Sequence, residues 1–318
     1  MTEPSKAFGH REQLGKAPPL REPFERVPFS PANADDVVAF SVANGSAHDR
    51  ALLRRLICHL TSAPEGVLVW RDALGLAVVA TVVDRVSNGA DAGTLEILGA
   101  RRSLGGQLLV SLVVDPGVAF ARSGPRRALH IPLHPWLVDD SAAQTTLEAR
   151  GFVPAYTCFA MQRPSGAVLP EVPRLEPGYG WAELDDGRIE EAHRATAAMF
   201  AGAASASLSP LDDFRRVVVS GPDVWRVLLD GERIAGMVRL VRLPGNAGKI
   251  GLLGRVPAYR GRGLGPHLVA EGLRVLAELG VREVTLDVEA DNERALELYR
   301  RFGFQVGVRT PVWEIALR

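Results

Sequence analysis

Three segments of the first half of the chain return in the second half, in the same order and at nearly constant spacing. VLVWRDALGLAVVA sets Asp72 against Asp230 of WRVLLDGERIAGMV, 158 residues later. RRSLGGQLLV from Arg101 lies over RGRGLGPHLV from Arg260 at an offset of 159. LEARGFVPAY, with Gly151 and Phe152, lies over YRRFGFQVGV, with Gly303 and Phe304, at an offset of 152. Apolar patterns that match by chance have no reason to keep both order and spacing, so two copies of one domain are expected. A length of 318 residues fits two units of ordinary size. Between the copies, RPSGAVLPEVPRLEPG carries four prolines, which interrupt helices and remove ladder donors. The expected organisation is a disordered tail over 1–24, a first domain over 25–163, a linker over 164–178 and a second domain over 179–318.

Within each copy the apolar period alternates between that of strands and that of helices. FERVPFSPANADDVVAFSV reads as strand, turn and helix, and GVLVWRDALGLAVVATVVDRV as two strands around a turn. In the second copy, WAEL reads as a strand and DDGRIEEAHRATAAMF as a helix that Asp185 and Asp186 are placed to cap. VWRVLLDGERIAGMVRLV is a hairpin about a DG turn, and KIGLLGRV and VREVTLDVEA are strands. GPHLVAEGLRVLAEL and NERALELYRRFG are helices, the latter closed by glycine, and FQVGVRTPVWEIAL is a last strand. The fold class is therefore α/β, with a mixed sheet flanked by helices in each copy.

Acids and bases balance at 37 each, so no global field draws the chain to nucleic acid or to an anionic membrane. No run approaches 18 apolar residues, and the first residues lack the apolar core of a signal peptide. Cys58 and Cys158 stand far apart and form no metal-ligand pattern, so neither a disulfide framework nor a metal site is expected. These features fit a cytoplasmic protein.

The densest chemistry is the junction after KIGLLGRV, where Gly261, Gly263 and Gly265 alternate with Arg260 and Arg262 just before a helix. A helix amino end carries unpartnered amides and about half a positive charge. Glycines let a ligand approach those amides, and the arginines add charge-assisted donors, so the stretch reads as a phosphate or pyrophosphate cradle. A Walker A loop is excluded, because neither its spacing nor its lysine is present. A dinucleotide fingerprint needs GxGxxG where this chain has GxGxG; Asp287 follows at a suitable distance, but too little chain remains to finish that fold.

A third pattern, RxxGxG, is met by Arg260, Gly263 and Gly265. PAYRGRGLG and LDVEADNERALELYRRFGF together resemble the acetyl-CoA-binding motifs of the GNAT superfamily of N-acetyltransferases, over roughly residues 179 to 318. The resemblance implies a splayed sheet in each copy, with acetyl-CoA wedged between two diverging strands. It implies cofactor contacts from Arg255, Val256, Arg260, Gly261, Arg262, Gly263, Leu264, Gly265 and Asn292. It also implies direct attack of an amine on the thioester, without an acyl-enzyme, and Tyr299 as the acid that protonates the departing thiolate. Read without the motif, Asn292 is a helix cap and Tyr299 a core-edge ring. The acceptor expected from the resemblance is a small-molecule or peptide amine, the expected chain a monomer or homodimer, and neither nucleic acid nor membrane is an expected partner.

Two departures matter. GKIGLLGRV lacks the carboxylate that many relatives place on this strand as base, which leaves Glu289 as the leading candidate, with Asp287, His193, Glu190 or a water chain as alternatives. Arg255 also stands where a small or apolar residue is usual. The first copy has Arg101, Arg102, Ser103, Leu104, Gly105 and Gly106 at the cradle, Leu147 at the position of Tyr299, and Asp140 near that of Asn292. It resembles a copy that has lost its cofactor site. A degenerate copy joined to an active one is the architecture of the actinobacterial mycothiol synthases, although nothing here matches their substrate site. A cofactor-binding sensor or scaffold without turnover is the alternative from another class, and a dinucleotide oxidoreductase is a distant third.

Overall fold

A computed structural model describes residues 24–44, 53, 64–87, 90–206 and 208–317. The expected disordered tail, apart from its last residue, and Cys58 lie outside them. The first half supplies β1 (Glu25–Val27), α1 (Ala34–Ala43), β2 (Val67–Asp72), β3 (Gly75–Ser87), β4 (Ala90–Ala100), α2 (Gly106–Arg122), β5 (Ala128–Pro132), α3 (Ser141–Glu148) and β6 (Val153–Arg163). The second supplies β7 (Tyr179–Glu183), α4 (Ile189–Met199), α5 (Leu211–Ser220), β8 (Val224–Asp230), β9 (Arg233–Arg242), β10 (Ala247–Arg255), α6 (Leu264–Glu278), β11 (Glu283–Glu289), α7 (Glu293–Arg301) and β12 (Gln305–Ala316). Residues 164–178 carry no strand or helix.

All the strands join one 12-stranded sheet in the order β1-β2-β3-β4-β5-β12-β6-β11-β10-β9-β8-β7. Each half thus builds its own antiparallel meander ending in one parallel pair, β4 with β5 and β10 with β11. The last strand of each half then crosses into the other. β6 lies between β11 and β12, pairing Val284 with Arg163 and Glu289 with Cys158, while β12 pairs Val312–Ala316 with the whole of β5. The cores follow this exchange: Trp313 of β12 is buried in the first-half core with Leu129 and Ile131, and Met161 of β6 in the second-half core with Phe302 and Phe304.

The repeat is visible in the local geometry. In both halves the helix before the exchanged strand ends on a glycine at φ +84°, Gly151 or Gly303. The next amide, of Phe152 or Phe304, donates back to the carbonyl of Leu147 or Tyr299 at 3.1 Å. This is the six-to-one bond of a glycine-terminated helix, and the positive φ makes any other residue costly there. Both phenylalanines are fully buried, which sets the angle at which the exchanged strand leaves.

In the second half, alternation along β8 and β9 faces Val227 and Met237 to α4, and Leu228 and Val238 to α6, so the two helices cover opposite faces of the sheet. α6 is also tied to β8 by Glu271, only 7% exposed, which accepts from Arg226 at 3.0 Å and from Arg274 at 2.8 Å. Burial pushes the Glu271 carboxyl up, and the guanidiniums of Arg274 and Arg226 outweigh it, so the group ends below the usual carboxylate range. The middle of α6 is therefore fixed to β8.

Candidate active site

β10 and β11 pair in parallel only from Ala247–Ile250 to Glu283–Leu286. β10 then follows β9 to Arg255, through a bulge between Ile250 and Leu252, while β11 follows β6 to Glu289. The two strands consequently diverge, and a cleft opens between Leu252–Arg255 and Asp287–Glu289. Backbone groups of a strand that loses its neighbour need another partner. The amide of Val256 is not among them, since it donates to Ala235 at 2.9 Å.

At the mouth of the cleft stands the turn into α6. Gly261 and Gly263 have φ of +84° and +72°, and an added Cβ at either would meet open space, so both are needed for conformation. Gly265 serves differently: a Cβ there would stand 3.1 Å from Leu298 Cδ2 and 3.4 Å from Arg255 Nη1. No side chain caps α6, so its first amides face outward from the turn without an internal acceptor.

The arginines part company. Arg260 donates through Nη2 to the Met199 carbonyl at 3.2 Å, closing the end of α4. Arg262 donates to the Tyr179 hydroxyl at 3.3 Å and lies 4.9 Å above the Tyr259 ring, and the Tyr179 bond raises its pKa. The guanidinium at the amino end of α6 is that of Arg255, the departure from the family pattern noted in the sequence. Spacing singled out Arg260 and Arg262 for a phosphate, but side-chain reach depends on which carbonyls and rings lie nearby, and this is not written in the spacing.

Tyr299, on α7 and near enough to Arg255 to feel its charge, is 7% exposed in the second-half core, with its ring edge-on to Phe304 at 5.9 Å. Burial pushes the phenol up to about 12, against the pull of the Arg255 cation. It is therefore a proton donor throughout the neutral range. Asn292 caps α7 through its side-chain oxygen, which accepts from Ala295 N at 3.2 Å, so any ligand contact falls to its amide nitrogen.

The strand carboxylates are already engaged. Asp287 pairs with Lys249 at 2.5 Å, and Glu289 Oε1 accepts the Ser205 amide at 2.5 Å. Of the alternatives, His193 Nε2 lies 2.9 Å from the Ser209 carbonyl, and Glu190 meets Arg215 at 3.4 Å. Cys158, opposite Glu289, is pushed up to about 12 by burial and then by Asp287, Glu289 and Asp291. A thiol so raised is almost wholly protonated at pH 8 and is a poor nucleophile. Iodoacetamide at pH 8 is expected to leave Cys158 intact in the native protein over a time that alkylates the unfolded chain fully. Mass spectrometry reads the result, and rapid native labelling would contradict the assignment.

The first half has the same strand divergence, since β4 and β5 pair only from Ala92–Thr94 to Ala128–His130. Its cradle is closed. Asp140 Oδ1 caps α3 by accepting from Ala143 N at 2.9 Å, and Oδ2 accepts from Gly106 N at 3.0 Å, so one carboxylate joins the amino ends of α3 and α2. A Cβ on Gly106 would fall 2.2 Å from that oxygen. Leu147 is fully buried where the other half has Tyr299. Sequence matching placed Asp140 near the Asn292 position, but its reach to Gly106 is a tertiary contact.

No group of metal-ligating side chains occurs among the described residues, and none of their helices is long and apolar enough to cross a membrane. Residues 191–304 match the Acetyltransferase (GNAT) family. A mycothiol acetyltransferase of a Nocardioides species is 32% identical over 263 residues, covering 76% of this chain and 82% of that protein. One from Actinosynnema mirum is 30% identical over 213 residues, covering 63% and 72%. Among solved structures, a GCN5-related N-acetyltransferase from Sphaerobacter thermophilus gives a TM-score of 0.67 at 19% identity, over 93% of this chain and 96% of that one. A tandem GNAT protein from the clavulanic acid biosynthesis pathway gives 0.66 at 16% identity, over 93% and 98%. At these identities the solved structures speak for the fold.

Proposed function

The chain belongs to the GNAT family of acetyltransferases and transfers an acetyl group to an amine, and from that premise we propose that acetyl-CoA is the donor and binds in the cleft between β10 and β11. The observation that carries the reading is the uncapped amino end of α6 at the mouth of the diverging strands, with the Arg255 guanidinium beside it and Tyr299 within reach of that charge. Amides, helix dipole and a fixed cation suit a pyrophosphate, and Gly261, Gly263 and Gly265 leave its approach clear of Cβ atoms. Arg260 and Arg262 shape the turn through Met199 and Tyr179, Val256 and Leu264 frame it, and Asn292, whose oxygen caps α7, has its amide nitrogen to offer the same ligand.

When bound, acetyl-CoA supplies the acetyl group as a thioester. The chain's own work is positioning and proton transfer. Diverging backbone on β10 orients the acetyl carbonyl; as the amine nitrogen bonds to it and the carbon–sulfur bond breaks, Tyr299 gives its proton to the departing sulfur, and the proton shed by the nitrogen leaves through water, which also reprotonates the phenol. The first half, with Asp140 in its cradle and Leu147 in place of a phenol, is a copy without a cofactor site that completes the sheet through β6. We place residues 25–163 in that copy, 164–178 in the linker and 179–318 in the catalytic copy, in a cytoplasmic protein. The acceptor is a small-molecule or peptide amine, and the two relatives described above make the acceptor of mycothiol acetyltransferases the first to assay. Release of free CoA thiol from acetyl-CoA, dependent on added amine, is the expected result. Acetyl-CoA binding without amine-dependent release across a broad panel would instead favour the sensor.

A further inference from the structure

The segment between α4 and α5 is made of small residues, FAGAASASLSP, with few side chains able to anchor it. Its anchors come from elsewhere. At its start, Met199 packs under β10, where a Cβ on Gly254 would lie 2.9 Å from the Met199 sulfur, and Arg260 of the phosphate turn holds the Met199 carbonyl. Six residues on, the Ser205 amide donates to Glu289 on β11. The segment therefore bridges the two strands that diverge, passing from β10 to β11 across the open end of the cleft. Between these points the Phe200 side chain packs against the core around Met199 and a turn runs from Ala203 N to Phe200 O at 3.0 Å; just past Ser205 a second turn runs from Ala206 N to Ala203 O at 3.1 Å.

Resting on the reading of this cleft as the active site, we propose that Glu289 is a positioning residue: it latches the Phe200–Ala206 loop across the cleft by accepting the Ser205 amide, and so fixes the wall against which the acceptor amine docks. A carboxylate bonded to an amide is a strong hydrogen-bond acceptor, and severing the bond releases a loop that makes no other hydrogen bond to β11 among the described residues. The function asked of Glu289 is to accept a hydrogen bond, and a glutamine oxygen still accepts one, more weakly for want of the charge. A general base must take up a proton, and glutamine cannot. Deleting the partner distinguishes the roles from the other side, because Ser205→Pro removes the donor and leaves the carboxylate in place.

The test measures acceptor KM, kcat and their pH profiles for Glu289→Gln, Glu289→Ala, Ser205→Pro and the double variant of the last two, with acetyl-CoA affinity measured on the same preparations. The latch predicts that Glu289→Ala and Ser205→Pro each raise acceptor KM about tenfold, with kcat and acetyl-CoA affinity within about threefold of the parent. The double variant should be no worse than either single one, because both remove one bond. Glu289→Gln, which keeps a weaker bond, should hold acceptor KM within about threefold of the parent and leave the pH profile unchanged. A loss of about a hundredfold or more in kcat for Glu289→Gln, with Ser205→Pro near the parent, would overturn the latch and make Glu289 the base. Parent-like KM in Glu289→Ala and Ser205→Pro would overturn it as well. Amide exchange at Ser205, slow in the parent and in Glu289→Gln and fast in Glu289→Ala, tests the bond even if no amine is turned over, in which case the active-site reading fails separately.

Discussion

Replacing Gly265 with aspartate is expected to weaken acetyl-CoA binding at least a hundredfold, about 3 kcal/mol, while the chain remains folded. The new Cβ enters a space bounded by Leu298 Cδ2 at 3.1 Å and Arg255 Nη1 at 3.4 Å, where the neighbours must give by a few tenths of an ångström. That crowding alone is modest. The larger effect is electrostatic, because the carboxylate would stand in the first turn of α6, take its free amides and pair with Arg255, the groups that suit a pyrophosphate. The first half shows the same arrangement occurring naturally, with Asp140 holding the Gly106 amide. Gly265→Ala supplies the steric part without the charge and should weaken binding only a few-fold. Calorimetric titration with acetyl-CoA, with the thermal midpoint as a control for folding, reads both variants. If the aspartate variant bound as well as the parent, α6 would not be the cradle.

Tyr299→Phe is expected to lower kcat by about a hundredfold to a thousandfold, the lower part of the usual range for losing a positioned acid, with acetyl-CoA affinity unchanged within about twofold. The ring contact with Phe304 survives the substitution, so the loss falls on proton transfer and not on packing. The pH dependence has a definite sign. Burial raises the phenol to about 12, so its protonated, donating form persists as pH rises and is lost only near that value. The kcat of the parent should therefore show no fall attributable to Tyr299 between pH 8 and 10. Steady-state kinetics at saturating acetyl-CoA check both statements, and parent-like turnover by the phenylalanine variant would remove Tyr299 from the mechanism.

Much of the second half was legible from local signals. The DG hairpin, the helix beginning in the glycine turn, the cap at Asn292 and the glycine stop at Gly303 each depend on a few adjacent residues, and they stand where spacing put them. The repeat offsets carried over as well, down to the matching backbone bonds of Phe152 and Phe304. Strand exchange was not legible. The alternation of VPAYTCFAMQR and QVGVRTPVWEIA states that each is a strand, yet says nothing of which neighbour it joins, because ladder bonds are made by backbone common to all residues. Side-chain destinations were hidden for a related reason. Whether Arg260 meets a phosphate or the Met199 carbonyl, and whether Glu289 meets a substrate or the Ser205 amide, depends on segments far away in sequence.

The exchange bears on how the protein can be handled. Residues 179–318 alone would lose β6, leaving β11 and β12 without the strand that lies between them, and Met161 would be missing from the second-half core. Experiments on the cleft therefore call for the full chain.

The proposed function needs one cleft that takes acetyl-CoA and one that Asp140 closes. Calorimetric titration of the full chain with acetyl-CoA tests both parts at once. One molecule bound per chain is the predicted result. Two per chain would show that Asp140 does not exclude the ligand from the first half, and none would contradict the donor site between β10 and β11.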